Sequence, residues 1–394
     1  MASATPAMDL WAVSPASLGL DARKLGRLWA RLNEDIDAGR LPGAVALVAR
    51  RGRVAAFEAL GQRAPGVSGA MHHDAIFRIY SMSKPVVSLA AMMLLEEGRL
   101  QLADPLHQYL PEFRHMTVGA ERAPAQHDIT LHDLLRHTAG LGYEFVGEGP
   151  LQQLYAEHDL AARTRTNAEF TQALATLPLW REPGSGWGYS RATDVLGRVI
   201  EVVSGQSLGA FLRQRIFGPL DMRDTGFSVP PEQQHRIAEP FAVDPVTGQA
   251  AALFDPRDEP RLESGGGGLM STAADYARFL QLILQGGRLG EVALLGRKTV
   301  SLMMHDHLGP QLPRGDDVLV PGHGFGLGFS VRESEGMAPV NGSAGLCHWS
   351  GIAGTTFFVD PSEQLFGMLL IQAPHQREHF RTLFRNMVYA ALVD

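Results

Sequence analysis

The sequence predicts an α+β fold: a mostly antiparallel sheet built from both ends of the chain, flanked by helices, with a helical region inserted between. Two observations carry this. β-like runs stand near the start, "GAVALVAR" and "RVAAFEAL", and again near the end, "FGLGFSVR" (325–332), "GTTFFVD" (354–360) and "QLFGMLLIQ" (364–372). Between roughly 85 and 225 the apolar spacing is mostly helical. One sheet made from both termini is the economical solution, so 1–85 and 226–394 are expected to form a sheet domain and 86–225 a helical region.

Taken in order, residues 21–38 read as a helix. Asp21 can cap it, and Leu25, Leu28, Trp29, Leu32 and Ile36 fall on one face. The two runs that follow are joined by a short Arg-Gly turn, a hairpin signal. Helix 85–97 is apolar almost all round and is expected to be buried. "TLHDLLRHTAGL" (130–141) reads as a helix from a Thr cap to near Gly140, and "DVLGRVIEVVSG" (194–205) as one closed by Gly205. Pro- and Gly-rich loops separate these helices, the densest being "REPGSGWGYS" at 181–190. "GGGG" at 265–268 marks a loop or a close approach of backbone. A helix over about 376–392 finishes the pattern.

Composition narrows the class of function. Apolar residues are 45% and charged residues 20% of the 394, the profile of an ordinary globular protein. A net charge of −7 gives no reason to expect nucleic acid or an anionic membrane as partner. A single cysteine, Cys347, excludes an internal disulfide framework. "MASATPAMDLW" lacks the basic start and apolar run of a secretory leader, and no run approaches the length of a membrane span, so a cytoplasmic protein is expected. The oligomeric state is not legible.

The stretch "IFRIYSMSKPVVSLAAMMLLEEGRL" (76–100) carries the chemistry. The chain holds 35 basic residues of which only Lys24, Lys84 and Lys298 are lysines, yet Lys84 stands three residues after Ser81 at the mouth of an apolar helix. That spacing puts both on one helix face. A serine hydroxyl attacks only if a base takes its proton, and a lysine desolvated enough to lose its charge can be that base; arginine cannot. The Ser81 N–H, near the helix start, can point at a developing oxyanion.

With "FRIYSMSK" followed by an apolar helix and "LEEGRLQLADPL", the sequence resembles class C β-lactamases and, more narrowly, family VIII carboxylesterases, over about residues 20–390. "LLRHTAGL" (134–141) is similar to a phrase common in that group. The resemblance implies a sheet carrying helices plus a helical region, with the active site between. It makes Ser81 of the Ser-x-x-Lys element the nucleophile and Lys84 its base. It makes Tyr189, in Tyr189-Ser190-Arg191, a partner of Lys84 as phenolate or proton relay. It aligns Trp349-Ser350-Gly351 with the Lys-Thr-Gly element, and the N–H of Ile352 with the second oxyanion donor. Two departures point to the esterase branch. Arg191 stands in place of an Asn that holds an amide, and Trp349 in place of a Lys that attracts a carboxylate; an indole supplies an apolar wall instead. Tyr143 and His348 are expected to line the substrate pocket, with Phe145 a weaker candidate.

The expected reaction is hydrolysis of a small-molecule, short-chain acyl ester, with no metal and no cofactor. The alternatives are a β-lactamase or D-aminopeptidase, an acyltransferase on the same site, and a non-catalytic ligand-binding module. Several motifs are expected to be decoys. "GYSRA" (188–192) approaches a nucleophile elbow at Ser190, but no strand precedes it. "KTV" (298–300) sits in a helical pattern, so Lys298 reads as a solvated charge. His72-His73 and His305-x-His307 lack the spacing of a zinc pair and read as exposed loop histidines. Cys347 reads as a small buried residue.

Overall fold

The computed structural model describes residues 11–67, 69–314 and 318–394. The stretch 1–10, on which the expectation of no leader rests, lies outside the described residues. The main sheet has seven antiparallel strands: β1 (Gly43–Arg50), β2 (Arg53–Gly61), β3 (His323–Phe325), β4 (Ser330–Arg332), β5 (Cys347–Ser350), β6 (Thr356–Asp360) and β7 (Leu365–Leu370), in the order β2-β1-β7-β6-β5-β4-β3. Both ends of the chain therefore meet at its centre, where Val45 pairs with Leu370 and Arg50 with Leu365.

Alternation along the strands divides the side chains between two cores. Ala44, Ala46, Val48, Phe358, Leu365 and Leu369 pack against helices α1 (Ala22–Asp37) and α6 (Arg377–Ala390). Val45, Leu47, Phe357, Val359, Phe366 and Met368 join the larger core, which runs on without a break into the helical region. Asp21 caps α1 through its side chain, accepting from Arg23 N and Lys24 N. At the middle of the larger core lies α2 (Ser83–Glu96), with Ser83 through Leu94 all buried. Its Val, Leu and Met side chains contribute about 1.5–3 kcal/mol each by leaving water. It packs against α4 (Ala192–Ser204), which Gly205 closes in the left-handed conformation at φ 74°.

Two elements differ from expectation. The 130–141 helix stops after five residues, as α3 (Leu131–Leu135), because His137 turns to φ 59° and Thr138 folds back to donate to the Asp133 carboxylate at 2.6 Å. The run 325–332 is not one strand but the hairpin β3–β4, turned at Gly328 with φ 104°. A Cβ there would stand 2.4 Å from Ser88 Oγ of α2, so glycine is required twice over. The helix α5 (Ala273–Leu284) covers β1, β6 and β7. No single described helix is long and apolar enough to cross a membrane; the pair Ala192–Ser204 and Leu208–Phe217, bent by 76°, passes by length and composition alone.

Candidate active site

The nucleophile candidate sits on a single 3₁₀ turn, Tyr80–Met82, that feeds α2. Tyr80 has φ 44°, a left-handed conformation that costs a non-glycine residue roughly 1–3 kcal/mol. Its ring packs on Phe254 at 4.9 Å, and its oxygen accepts from Phe254 N at 3.3 Å, which holds the strained turn. Beyond it, Tyr276 donates to Met82 O at 2.9 Å and Leu269 N to Ser83 Oγ at 3.1 Å, pinning the start of α2. Ser81 faces a cavity of about 1190 Å³ also lined by Tyr143, Tyr189, Trp349, Ser350 and Ile352.

Lys84 is fully buried one turn beyond Ser81. Its Nζ lies 3.1 Å from Ser81 Oγ, 3.1 Å from Tyr143 Oη and 2.7 Å from Gly266 O. None of these partners is charged. Burial therefore dominates and pushes the amine down from 10.5 to about 7; the Asp194 carboxylate opposes this and the Arg191 guanidinium adds to it. A neutral amine has two N–H bonds and one lone pair. Gly266 O and Tyr143 Oη take the two hydrogens, leaving the lone pair for the Ser81 hydroxyl.

Tyr189 donates to Ser81 Oγ at 2.6 Å, and the Trp349 indole N–H donates to Tyr189 Oη at 3.4 Å. Donors thus run in one sense from Trp349 through Tyr189 and Ser81 to Lys84. Burial raises the phenol above its ordinary value of 10, so Tyr189 is a neutral O–H at pH 7, which favours the relay over the phenolate.

Two backbone features complete the site. The glycine tract is a close approach: a Cβ on Gly266 would stand 2.6 Å from Asp194 Oδ2 and 3.0 Å from Tyr143 Oη, and one on Gly265 2.5 Å from Thr193 O. Asp194 fixes the tract by accepting from Ser264 Oγ at 2.5 Å and Gly266 N at 3.0 Å. At the end of β5, a Cβ on Gly351 would meet Ile79 O at 2.5 Å, so only glycine lets this strand close on the nucleophile turn. Among the described residues no acceptor meets the Ile352 N–H, and the residue is 38% exposed at the cavity.

The remaining expected residues are placed as follows. Tyr143 lies beside Lys84, with Phe145 stacked on it at 4.5 Å, and both line the cavity. Arg191 is buried, with its Nε 3.2 Å from Glu144 Oε2, a second contact to Glu144 Oε1, and its Nη1 3.5 Å from Asp194. His348 borders the cavity too, but pairs across the sheet with Phe358 and stacks edge-on against His323 at 4.9 Å, on the face of β5 opposite Trp349. Ser190 is buried against His137 Nδ1 at 3.2 Å, outside the cavity lining. Lys298 is exposed on the helix Arg297–Met303, and Cys347 is buried. His72 and His73 are exposed, whereas His307 is half-buried on His132 at 2.9 Å, a correction to its reading as an exposed loop residue. Among the described residues no cluster of three or more His, Cys, Asp or Glu could hold a metal ion.

Sequence reasoning misses Gly266, whose carbonyl accepts from Lys84, and Asp194 of α4 with Glu144, which hold the neighbouring Arg191. Only the glycine tract gave a signal, and it did not say which backbone approached what.

The chain matches the profile of the family described as Beta-lactamase over residues 27–392. Protein Rv1367c of Mycobacterium tuberculosis (strain ATCC 25618 / H37Rv) is 36% identical over 358 residues, covering 87% of this chain and 88% of that protein. Esterase EstB of Burkholderia gladioli is 33% identical over 392 residues, covering 94% and 96%. Among solved structures, EstCE1, a hydrolase with promiscuous acyltransferase activity, superposes with a TM-score of 0.78 at 28% identity, covering 93% of this chain and 99% of that one.

Proposed function

Because the chain belongs to the beta-lactamase family, and fits its family VIII esterase branch, we propose that it is a serine carboxylesterase acting on short-chain acyl esters of small molecules. The observation that carries this reading is the unbroken contact Tyr189–Ser81–Lys84, with a base near neutrality and no described carboxylate touching it. Its relatives, an esterase and a hydrolase, support the same class.

Ser81 Oγ attacks the ester carbonyl as its proton passes to Lys84. The N–H groups of Ser81 and Ile352 hold the oxyanion; losing one such donor typically costs about 10²–10³ in rate. Tyr189 and Lys84 return the proton to the leaving alcohol. Water then attacks the acyl-enzyme with the same pair as base. The wall at Trp349 offers apolar contact where a lysine would draw a carboxylate to the reacting centre.

A panel of 4-nitrophenyl acetate, 4-nitrophenyl butyrate and nitrocefin tests the reading. Wild type is expected to turn over the nitrophenyl esters faster than nitrocefin, Ser81→Ala to turn over neither, and a fluorophosphonate to add to Ser81 by mass spectrometry. Nitrocefin as the better substrate, or a Ser81 that is never acylated, would overturn it. Acyl transfer is a second reading, favoured by the promiscuous acyltransferase activity of EstCE1 and by a cavity with room for an acceptor. Product analysis with a competing alcohol separates the two.

A further inference from the structure

Helix α6 carries Arg377, Arg381 and Arg385 at i, i+4 and i+8, one face of the helix, and all three line the same cavity as Ser81. Like charges at this spacing weaken a helix, so the row is not there for helix stability. Their carboxylate partner among the described residues is Glu378, which lies 3.3 Å from Arg377 and 2.6 Å from Arg381 while itself 75% exposed. Arg385 is only 8% exposed and, among the described residues, has no carboxylate within 4 Å; its Nε donates to Asn341 O at 2.9 Å and its Nη2 has no partner there. The nearby Asp360 is committed to Tyr389 Oη at 2.5 Å and to the N–H groups of Ser343, Ser362 and Glu363. Arg332, close by, is satisfied by the carbonyls of Ser334, Glu335 and Val340 alone.

A buried guanidinium without a counter-charge is costly unless something supplies one. The whole cavity leans the same way. Six arginines line it, Arg163, Arg191, Arg314 and the three on α6, against two glutamates, in a chain whose net charge is −7; Arg191 is neutralised by Glu144 and Asp194 and Arg314 by Glu333, so the excess positive charge lies on α6 and Arg163. Such a concave basic wall concentrates anions. The row also reaches the chemistry, since Arg381 donates to Gly351 O, one residue before the expected oxyanion donor Ile352.

We propose that Arg377, Arg381 and Arg385 form a carboxylate-binding subsite, and that the ester cleaved at Ser81 carries a carboxylate remote from the scissile bond. The inference rests on the esterase reading and adds the substrate class. The cation absent from position 349 is supplied from the terminal helix, further from the nucleophile and so suited to a longer substrate. Burial also holds the Arg385 guanidinium down to about 10, the mark of a charge poorly solvated without a ligand.

The test compares kcat/KM for matched pairs. The 4-nitrophenyl monoester of glutaric acid against 4-nitrophenyl valerate places the carboxylate in the acyl group. The butyrate ester of 3-hydroxybenzoate against phenyl butyrate places it in the alcohol. One anionic member is expected to be preferred by roughly tenfold or more, and the favoured arm tells which side of the ester enters the row. That preference should shrink in high salt and fall by about tenfold in Arg385→Gln, with the neutral partner much less affected. Should Arg385→Gln fold poorly, Arg381→Lys and competitive inhibition of wild type by glutarate give the same readout. Equal rates within both pairs, together with no inhibition by glutarate, would overturn the proposal. Titration of glutarate into Ser81→Ala keeps the two claims apart. Heat of binding there, with no turnover of any ester by wild type, would remove the esterase reading and leave the anion site standing.

Discussion

Lys84 and Arg191 are two buried basic side chains that share a wall, and only one of them can give up its proton near neutrality. Lys84 Nζ lies 3.1 Å from the Tyr143 hydroxyl, and the Arg191 guanidinium stacks over the same ring at 4.9 Å. Around Lys84 every contact is neutral, and the amine falls to about 7. Around Arg191 stand the carboxylates of Glu144 and Asp194, which outweigh burial and hold it charged. Equal burial thus leaves an amine able to lose its proton in one place and a permanent cation in the other; the guanidinium is the stronger base to begin with, and its two carboxylates stabilise the charge further. Arg191 has a second effect, because it offsets the charge of Asp194 that would otherwise draw a proton onto Lys84.

The largest expected effect comes from making the two alike. Lys84→Arg puts a bulkier, permanently charged guanidinium in the same place, cannot shed a proton, and is expected to lower kcat by about 10²–10⁴ on a nitrophenyl ester. A variant within a few-fold of wild type would show that Lys84 is not the base. Lys84→Met should be equally inactive yet more stable near pH 7, by roughly 1–3 kcal/mol once the lost contacts to Gly266 and Tyr143 are set against the relief of desolvation. The sign with pH follows from the depressed amine. Between about 7 and 10.5 the unfolded chain binds more protons at this position than the native one, so this contribution to stability rises with pH across that window. Lys84→Met removes that slope, which melting curves at pH 7 and pH 9 would show.

Next come two variants expected to move the pH profile in opposite directions. Arg191→Gln leaves Asp194 uncompensated and should shift the acid limb of kcat/KM to higher pH; Asp194→Asn should shift it to lower pH, each by about one unit. Shifts of the same sign would mean that fold damage, not charge, was being read. Tyr143→Phe keeps the ring under Arg191 but removes the hydroxyl beside Lys84, and is expected to cost about tenfold in kcat, since one amine hydrogen loses its acceptor. Trp349→Phe is the mildest. It keeps the apolar wall and removes a 3.4 Å donor to Tyr189, so a loss of a few-fold is expected in the same assay.

The contrast between these two basic side chains also bears on how much the sequence discloses. Period and spacing suffice for the sheet from both termini and for Ser81 with Lys84, because three residues along a helix is a local fact. Tyr189 and Ile352 come only through resemblance, since nothing local marks a loop tyrosine or a single amide. The lines drawn wrongly are those decided by particular side-chain contacts that period does not encode. Thr138 reaching back to Asp133 ends a helix that apolar spacing would continue, and contact of Gly328 with Ser88 folds one apolar run into a hairpin. Asp194 and Glu144 are ordinary acids in sequence; Arg191 with Asp194 is a local i,i+3 pair, but the approach of Glu144 to Arg191 and of the glycine tract to Asp194 and Lys84 joins segments far apart in the chain.

Because β1 hydrogen-bonds to β7, strands more than 300 residues apart must meet before the central sheet exists. The nucleophile turn abuts Gly351, and Trp349 touches Tyr189, so the groups around Ser81 come from early, middle and late synthesis. A nascent chain still on the ribosome, lacking its last strands, would hold Ser81 and Lys84 without the far wall. Such closure is slow by its topology. It also means that the wall carrying Trp349 and Gly351 can close on Ser81 only after the strands around residues 347–370 have been made.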